Sequence, residues 1–188
     1  MKNLLVISAI LLLSLSACGP SEEKRMDAKE VLDGTLSIIS TVNVRDSEYV
    51  HCMQYLIREI QSPDLKKNKK KLKAVSDSMN LLEICNDSLQ TAVADALKAV
   101  EKLRLEKPGF DLLDATDTLL SKYSQISGEV YSDINLKMRK VSLPVKDGEY
   151  TVLLKLSFRA DSVLNEAVNN FNNESASFSE KYRLKDLK

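Results

Sequence analysis

Residues 65–105 read LKKNKKKLKAVSDSMNLLEICNDSLQTAVADALKAVEKLRL, and this stretch decides the fold. Two positions of a seven-residue repeat carry mainly apolar side chains along its whole length. One series is Leu65, Leu72, Met79, Asn86, Val93 and Val100, and the other is Asn68, Val75, Leu82, Leu89, Ala96 and Leu103. Residues at this spacing share one face of a helix, as the seam of a helical bundle requires. The stretch predicts one long helix over 65–105, with Asp64 as its N-cap.

Three turn signals divide the chain around this helix. They are Ser62-Pro63-Asp64, Lys107-Pro108-Gly109, and Leu143-Pro144 followed by Asp147-Gly148. The remaining segments, about 27–60, 111–140 and 149–182, also carry apolar stripes with helical spacing. Short links between long helices make antiparallel neighbours. The pattern predicts an all-α, up-down-up-down four-helix bundle over 27–182.

One stretch, 141–158, supports two readings. Apolar residues alternate with period two on both sides of Asp147-Gly148, which favours a small β-hairpin. Leu156, Ala160 and Val163 continue instead in helical phase, which favours a helix from about residue 149. The predicted core stripe of that helix is Val152, Leu156, Ala160, Val163, Ala167, Phe171 and Phe178.

The first 18 residues have the layout of a signal peptide. Lys2 precedes an apolar run over 4–15 that is short for a membrane span, and Leu15-Ser16-Ala17-Cys18 follows. This last run resembles the lipobox of bacterial lipoproteins. The resemblance implies cleavage of 1–17, diacylglycerol on the sulfur of Cys18, a lipidated tether over 18–26 and attachment to a membrane. Residues 183–188 are predicted to be a C-terminal tail.

The residues after Cys18 bear on location. Position 19 is Gly, so the inner-membrane retention signal, an Asp in that place, is not present. Ser21-Glu22-Glu23 loosely resembles the acidic export signal of Bacteroidota surface lipoproteins, and it also suits a solvated tether. The mature chain is similar to small helical surface lipoproteins of spirochaetes and Bacteroidota. The likeness implies an envelope protein without known catalysis. We expect it to be anchored in the outer membrane, on the periplasmic face or at the cell surface.

Composition narrows the function classes. The 188 residues include 27 basic and 27 acidic side chains, and removal of 1–17 takes away only the charge of Lys2. A mature chain with a net charge near −1 is not typical of a general nucleic-acid binder. The sequence lacks phosphate-binding, dinucleotide-binding, nucleophile-elbow and zinc-protease motifs. His51 is the single histidine, so we expect no metal site, no cofactor and no enzymatic activity.

Charge collects at one predicted end of the bundle. The turns near 63 and 144 share that end, which lies opposite both termini. Its eleven basic residues are Arg58, Lys66, Lys67, Lys69, Lys70, Lys71, Lys73, Lys137, Arg139, Lys140 and Lys146, against the four acidic residues Glu59, Asp64, Asp147 and Glu149. One reading is a solvated cap. The other is a docking surface, formed by Lys66, Lys67, Lys69, Lys70, Lys71, Lys73, Arg139 and Lys140, for an anionic envelope polymer or an acidic protein.

Two further features concern the interior. A hairpin that turns near 62–63 would place Cys52 opposite Lys73, and Cys85 opposite Ser40. That offset predicts two free, largely buried thiols. Polar residues on the seams (Asp46, Asn86 and Ser127) either fix the helix register or line a small pocket. Two functions therefore remain open: a non-enzymatic binding or spacer module, and a ligand-sensing or carrier domain with a pocket between helices.

Overall fold

The computed structural model describes residues 19–65 and 67–186, which form an antiparallel four-helix bundle. The helices are α1 (Glu22–Glu59), α2 (Lys69–Glu106), α3 (Leu112–Gln125), α4 (Ser132–Lys140) and α5 (Asp147–Lys181). A π-helical turn, Ile126–Tyr131, joins α3 to α4, so these two make one continuous rod, the third long helix of the bundle. A short 3₁₀ helix, Leu184–Asp186, follows α5. The predicted fold class is confirmed. Cys18 and the signal segment lie outside the described residues.

The first helix begins earlier than the sequence indicated, and the second begins later. The hydroxyl of Ser21 accepts from the backbone N–H of Lys24 at 3.3 Å, so α1 begins at Glu22 and the predicted tether over 18–26 is too long. The second helix starts at Lys69, because the side chain of Asn68, rather than that of Asp64, accepts the N–H of Lys71 at 3.1 Å. The expectation of an Asp64 cap was wrong.

The predicted seams form the core. Most of the seam positions of α2 are buried, among them Val75, Leu82, Leu89, Val93, Ala96 and Val100. Leu72 is 38% exposed, since it lies in the first turn of a helix that begins four residues later than predicted. In the third long helix, the stripe stays buried on both sides of the π turn: Leu113, Thr116, Leu120, Tyr123, Ser127, Val130 and Ile134. The seven-residue repeat therefore located the core faces.

The 141–158 stretch is resolved in favour of the helix. Asp147 and Gly148 form the first turn of α5, and the backbone N–H of Lys146 donates to the carboxylate of Glu149 at 3.4 Å. No strand occurs within the described residues, so the hairpin reading was wrong. Most of the predicted core stripe is confirmed: Ala160, Phe171 and Phe178 are buried, and Leu156, Val163 and Ala167 pack partly buried against the core. The exception is Val152, which is 42% exposed, whereas the neighbouring Leu153 is buried.

One end of the bundle, the proximal end, holds both termini of the described chain and the 107–111 turn. Arg25 donates to the carbonyl oxygens of Tyr182 (3.2 Å) and Arg183 (2.8 Å). The rings of Phe110 and Tyr182 lie 5.4 Å apart in an edge-to-face contact. Leu184 is buried, so residues 183–186 pack against the bundle. The C-terminal tail expected over 183–188 is therefore shorter than predicted. None of the described helices has an apolar stretch long enough to cross a membrane.

Candidate functional site

The other end, the distal end, contains the 60–68 and 141–146 turns. The backbone N–H of Val145 donates to the carbonyl oxygen of Ile60 at 3.1 Å, which holds the two turns together. Ile60, Leu65 and Val145 are buried beneath them. The described basic residues of the two turns, Lys67 and Lys146, are exposed to solvent at this end of the bundle.

The predicted docking residues differ in whether their side chains contact another residue of the bundle. The side chains of Lys67, Lys69, Lys70, Lys73 and Lys140 are exposed. Lys71 is engaged instead: its ammonium lies 2.8 Å from the carboxylate of Glu59 and 2.9 Å from the hydroxyl of Ser62. The hydrogen bond from Lys71 lowers the pKa of Glu59. Arg139 pairs with Glu83 of α2, and Lys66 lies outside the described residues. The exposed lysines carry the charge that remains for a partner.

A second feature is an open groove between α1 and α2, here called the outer groove. Its volume is about 1020 Å³. Three large apolar side chains around it are exposed to solvent: Val44 (54%), Leu81 (49%) and Ile84 (62%). The three side chains make this groove a candidate binding surface. This groove was not predicted, although Leu81 and Ile84, apolar residues off the predicted seams, were a signal of it in the sequence.

Both cysteines line the outer groove without forming a disulfide. The thiol of Cys52 lies 3.5 Å from the carbonyl oxygen of Ser78, so Cys52 faces Ser78 rather than Lys73. The later start of α2 lengthens the turn and shifts the register. Cys85 is seven residues beyond Ser78, about 10 Å of helix rise. Free thiols are confirmed, but only Cys52 is buried, while Cys85 is half-buried. Burial raises the pKa of the Cys52 thiol to about 11, which disfavours a nucleophilic thiolate.

The polar seam residues meet partners across the bundle centre. Asn86 Nδ2 donates to the carbonyl oxygen of Ser127 at 3.2 Å. The hydroxyl of Tyr131 donates to Asp46 at 2.9 Å, and that of Tyr49 donates to Asn135 Oδ1 at 3.0 Å. The rings of Tyr49 and Tyr131 also stack at 4.0 Å. These contacts tie α1 and α2 to the third long helix at fixed heights, which favours the register reading.

The electrostatics of this polar cluster are set by burial. Removal from solvent raises the pKa of Asp46 to about 6, the hydrogen bond from Tyr131 opposes that rise, and the charge of Asp161 on α5 adds to it. Burial also raises the pKa of Tyr131 and Tyr49. His51 is exposed and lines the outer groove. Within the described part of the chain, no group of three His, Cys, Asp or Glu side chains is placed to hold a metal ion.

Comparisons of the chain with family models, with curated proteins and with solved structures find no significant match.

Proposed function

We propose that the protein is a lipid-anchored, non-enzymatic module of the outer membrane that docks an anionic partner at its distal end. The supporting observation is the hydrogen bond between Val145 and Ile60, which places two basic turns side by side. The anchor, Cys18, directly precedes Gly19 at the proximal end. A helix of 38 residues, the length of α1, spans roughly 57 Å. The cationic surface therefore projects that far from the bilayer, on its periplasmic or outer side.

The anionic partner is an envelope polysaccharide or an acidic protein rather than nucleic acid. The sequence places eleven basic and four acidic residues at this end of a chain that is almost neutral as a whole. Glu83 and Asp133, which pair with Arg139 and Lys137, reduce the excess of positive charge to five. Such a surface attracts polyanions over about one Debye length, so binding weakens as salt is added. Most of these lysines lie in or beside the first turns of α2, where the helix dipole disfavours positive charge. Helix stability alone does not explain them.

Chromatography on immobilised heparin tests this proposal. Changing Lys67, Lys69, Lys70 and Lys73 to Gln should lower the salt concentration at which the purified protein elutes. A matched control changes Lys24, Lys29, Lys98 and Lys102 to Gln. These four substitutions remove the same amount of positive charge near the proximal end. If both quadruple variants elute together, net charge explains retention and the docking surface is refuted.

A second candidate function is the binding of an apolar ligand in the outer groove, as expected of a carrier or sensing domain. The exposed side chains of Val44, Leu81 and Ile84 favour it. At about 1020 Å³, the groove matches the upper range of ligand pockets, although it is more open than most of them.

An environment-sensitive dye, 1-anilinonaphthalene-8-sulfonate, tests this second candidate. Its fluorescence should rise with the wild-type protein and fall when Ile84 is changed to Ser. The matched control is Phe158→Ser, because Phe158 is 67% exposed on α5 away from the groove. Equal loss of fluorescence in both variants would mean that the dye reports scattered apolar exposure and not this groove.

A further inference from the structure

The outer groove is one part of a longer surface, the α1–α2 face. A second groove, of about 570 Å³, continues it toward the proximal end and shares Arg45 and Ser88 with it. On α2 the two grooves run from Ser78 to Ala99, about 33 Å of helix rise. A strip of that length and two helices wide covers roughly 600–700 Å². Each partner in a standard protein interface contributes roughly 800 Å², so the face has about the size that another protein covers.

The charges on the α1–α2 face cancel within one copy of the chain. Arg45 and Glu48, which line the outer groove, form an ion pair at 2.8 Å. Asp95, which lines the second groove, pairs with Lys98 at 3.1 Å. The distal end has an excess of positive charge instead, so two copies of that end repel each other. The α1–α2 face can meet an identical face without such repulsion, and it has no net charge to attract a charged partner.

Two of the exposed apolar side chains of the outer groove lie at nearly the same height along the bundle. α1 and α2 are antiparallel, and the thiol of Cys52 lies 3.5 Å from the carbonyl oxygen of Ser78. Equal steps from these two residues toward the proximal end lead to Val44 on α1 and to Asn86 on α2. Ile84 is two residues from Asn86, about 3 Å of helix rise. Val44 and Ile84, which are 54% and 62% exposed, are therefore almost level with each other.

We propose that the α1–α2 face binds a second copy of the chain in a parallel two-fold dimer. A two-fold axis along the bundle places α1 of each copy against α2 of the other, and residues of equal height meet. In such an interface every contact between two different residues occurs twice. Val44 of each copy therefore packs on Ile84 of the other, and vice versa, as their common height requires.

The parallel arrangement has two consequences. Both proximal ends point the same way, so the two chains can be anchored in one membrane and present their distal ends side by side. The dimer also excludes the apolar ligand of the second candidate function, because both would occupy the outer groove. It does not depend on the proposed docking of an anionic partner, so either proposal can fail without the other.

Cysteine cross-linking in cells that express the full chain tests the arrangement. One tagged copy carries Val44→Cys, an untagged copy carries Ile84→Cys, and both carry Cys85→Ser to remove the neighbouring half-buried thiol. Oxidation should give a covalent dimer of the two different chains on a non-reducing gel. Cells with the Val44→Cys chain alone should give none, because the two α1 helices of a parallel dimer are diagonally opposed. Absence of the mixed dimer, or equal cross-linking by Val44→Cys alone, would overturn the proposal.

Sedimentation equilibrium of the purified protein measures association without cross-linking. The mass of the wild type should approach that of a dimer as the protein concentration rises. Ile84→Asp changes an exposed side chain, which the monomer tolerates, but buries two unpaired carboxylates in the dimer and should weaken association about tenfold or more. The matched control is Phe158→Asp, at an exposed site on α5, which should associate as the wild type does. A wild type that stays monomeric, or an Ile84→Asp variant that associates equally, would overturn the proposal and leave the groove to an apolar ligand.

Discussion

Replacement of Asp46 by Asn should make the protein more stable at neutral pH. Asp46 is a residue of α1 whose neighbours include Tyr131 in the π turn and Asp161 on α5. Burial raises its pKa from an ordinary 3.8 to about 6. Between those two values the folded chain binds a proton that the unfolded chain has released. Stability from this group is therefore fully present below about pH 4 and is lost as the pH rises through about 6. The difference corresponds to about 2–3 kcal/mol at pH 7.

Asn is the informative replacement, because it is uncharged at every pH and retains an oxygen to accept the hydrogen bond from Tyr131. Urea unfolding of the wild type and of Asp46→Asn should give similar free energies at pH 4. At pH 7 the variant should be more stable by about 2–3 kcal/mol. Asp33→Asn, on the exposed side of the same helix, should show no such pH-dependent gain; its ion pair with Lys29 is worth at most about 1 kcal/mol.

The result that refutes this reasoning is a wild type and an Asp46→Asn variant whose stabilities differ by the same amount at pH 4 and pH 7. That outcome would mean that Asp46 titrates alike in the folded and unfolded chains. A variant that is less stable at pH 7 would mean that the hydrogen bond from Tyr131 to the charged carboxylate outweighs the cost of burial.

Three further predictions follow from the contacts. A thiol reagent should modify Cys85 slowly in the folded protein and Cys52 only after unfolding, and mass spectrometry without reductant should detect no bridge between them. Tyr49→Phe keeps the ring stack on Tyr131 but removes the one O–H that the Tyr131 carbonyl and Asn135 Oδ1 share, so urea unfolding should show a loss of about 1–3 kcal/mol. Cys18→Ser should take up no labelled palmitate in cells; continued labelling of that variant would contradict the proposed anchor.

The helices and their order could be predicted from the sequence because they depend on apolar periodicity and on the position of turn residues. Residues with the spacing of Leu113, Thr116, Leu120 and Tyr123 lie on one face only if the segment is helical, whatever packs against that face. The starting residue of α2 could not be predicted in the same way. Asp64 and Asn68 are both good N-caps, and the structure uses Asn68, which leaves Leu65 buried in the turn that precedes the helix.

The candidate surfaces also differ in whether they could be predicted from the sequence. The charge of the distal end was predictable, since it requires only that the turns near 63 and 144 lie at the same end of an up-down-up-down bundle. The outer groove depends instead on the rotation of each helix about its axis, to within one residue. The fourth helix illustrates the difficulty: the sequence favoured Val152 on the core face, and the structure buries Leu153 instead.

The π turn explains why the contacts of the polar seam residues could not be predicted from the sequence. Asn86 and Ser127 were both recognised as polar seam residues, but an ordinary α-helix would use the Ser127 carbonyl for a bond within the third long helix. In the structure, the carbonyl oxygen of Ser127 accepts from the side chains of Asn86, Ser132 and Gln90, at 3.2, 3.0 and 3.1 Å. These contacts thus involve a local change of helix type that apolar spacing does not reveal, since the buried stripe continues through it unchanged.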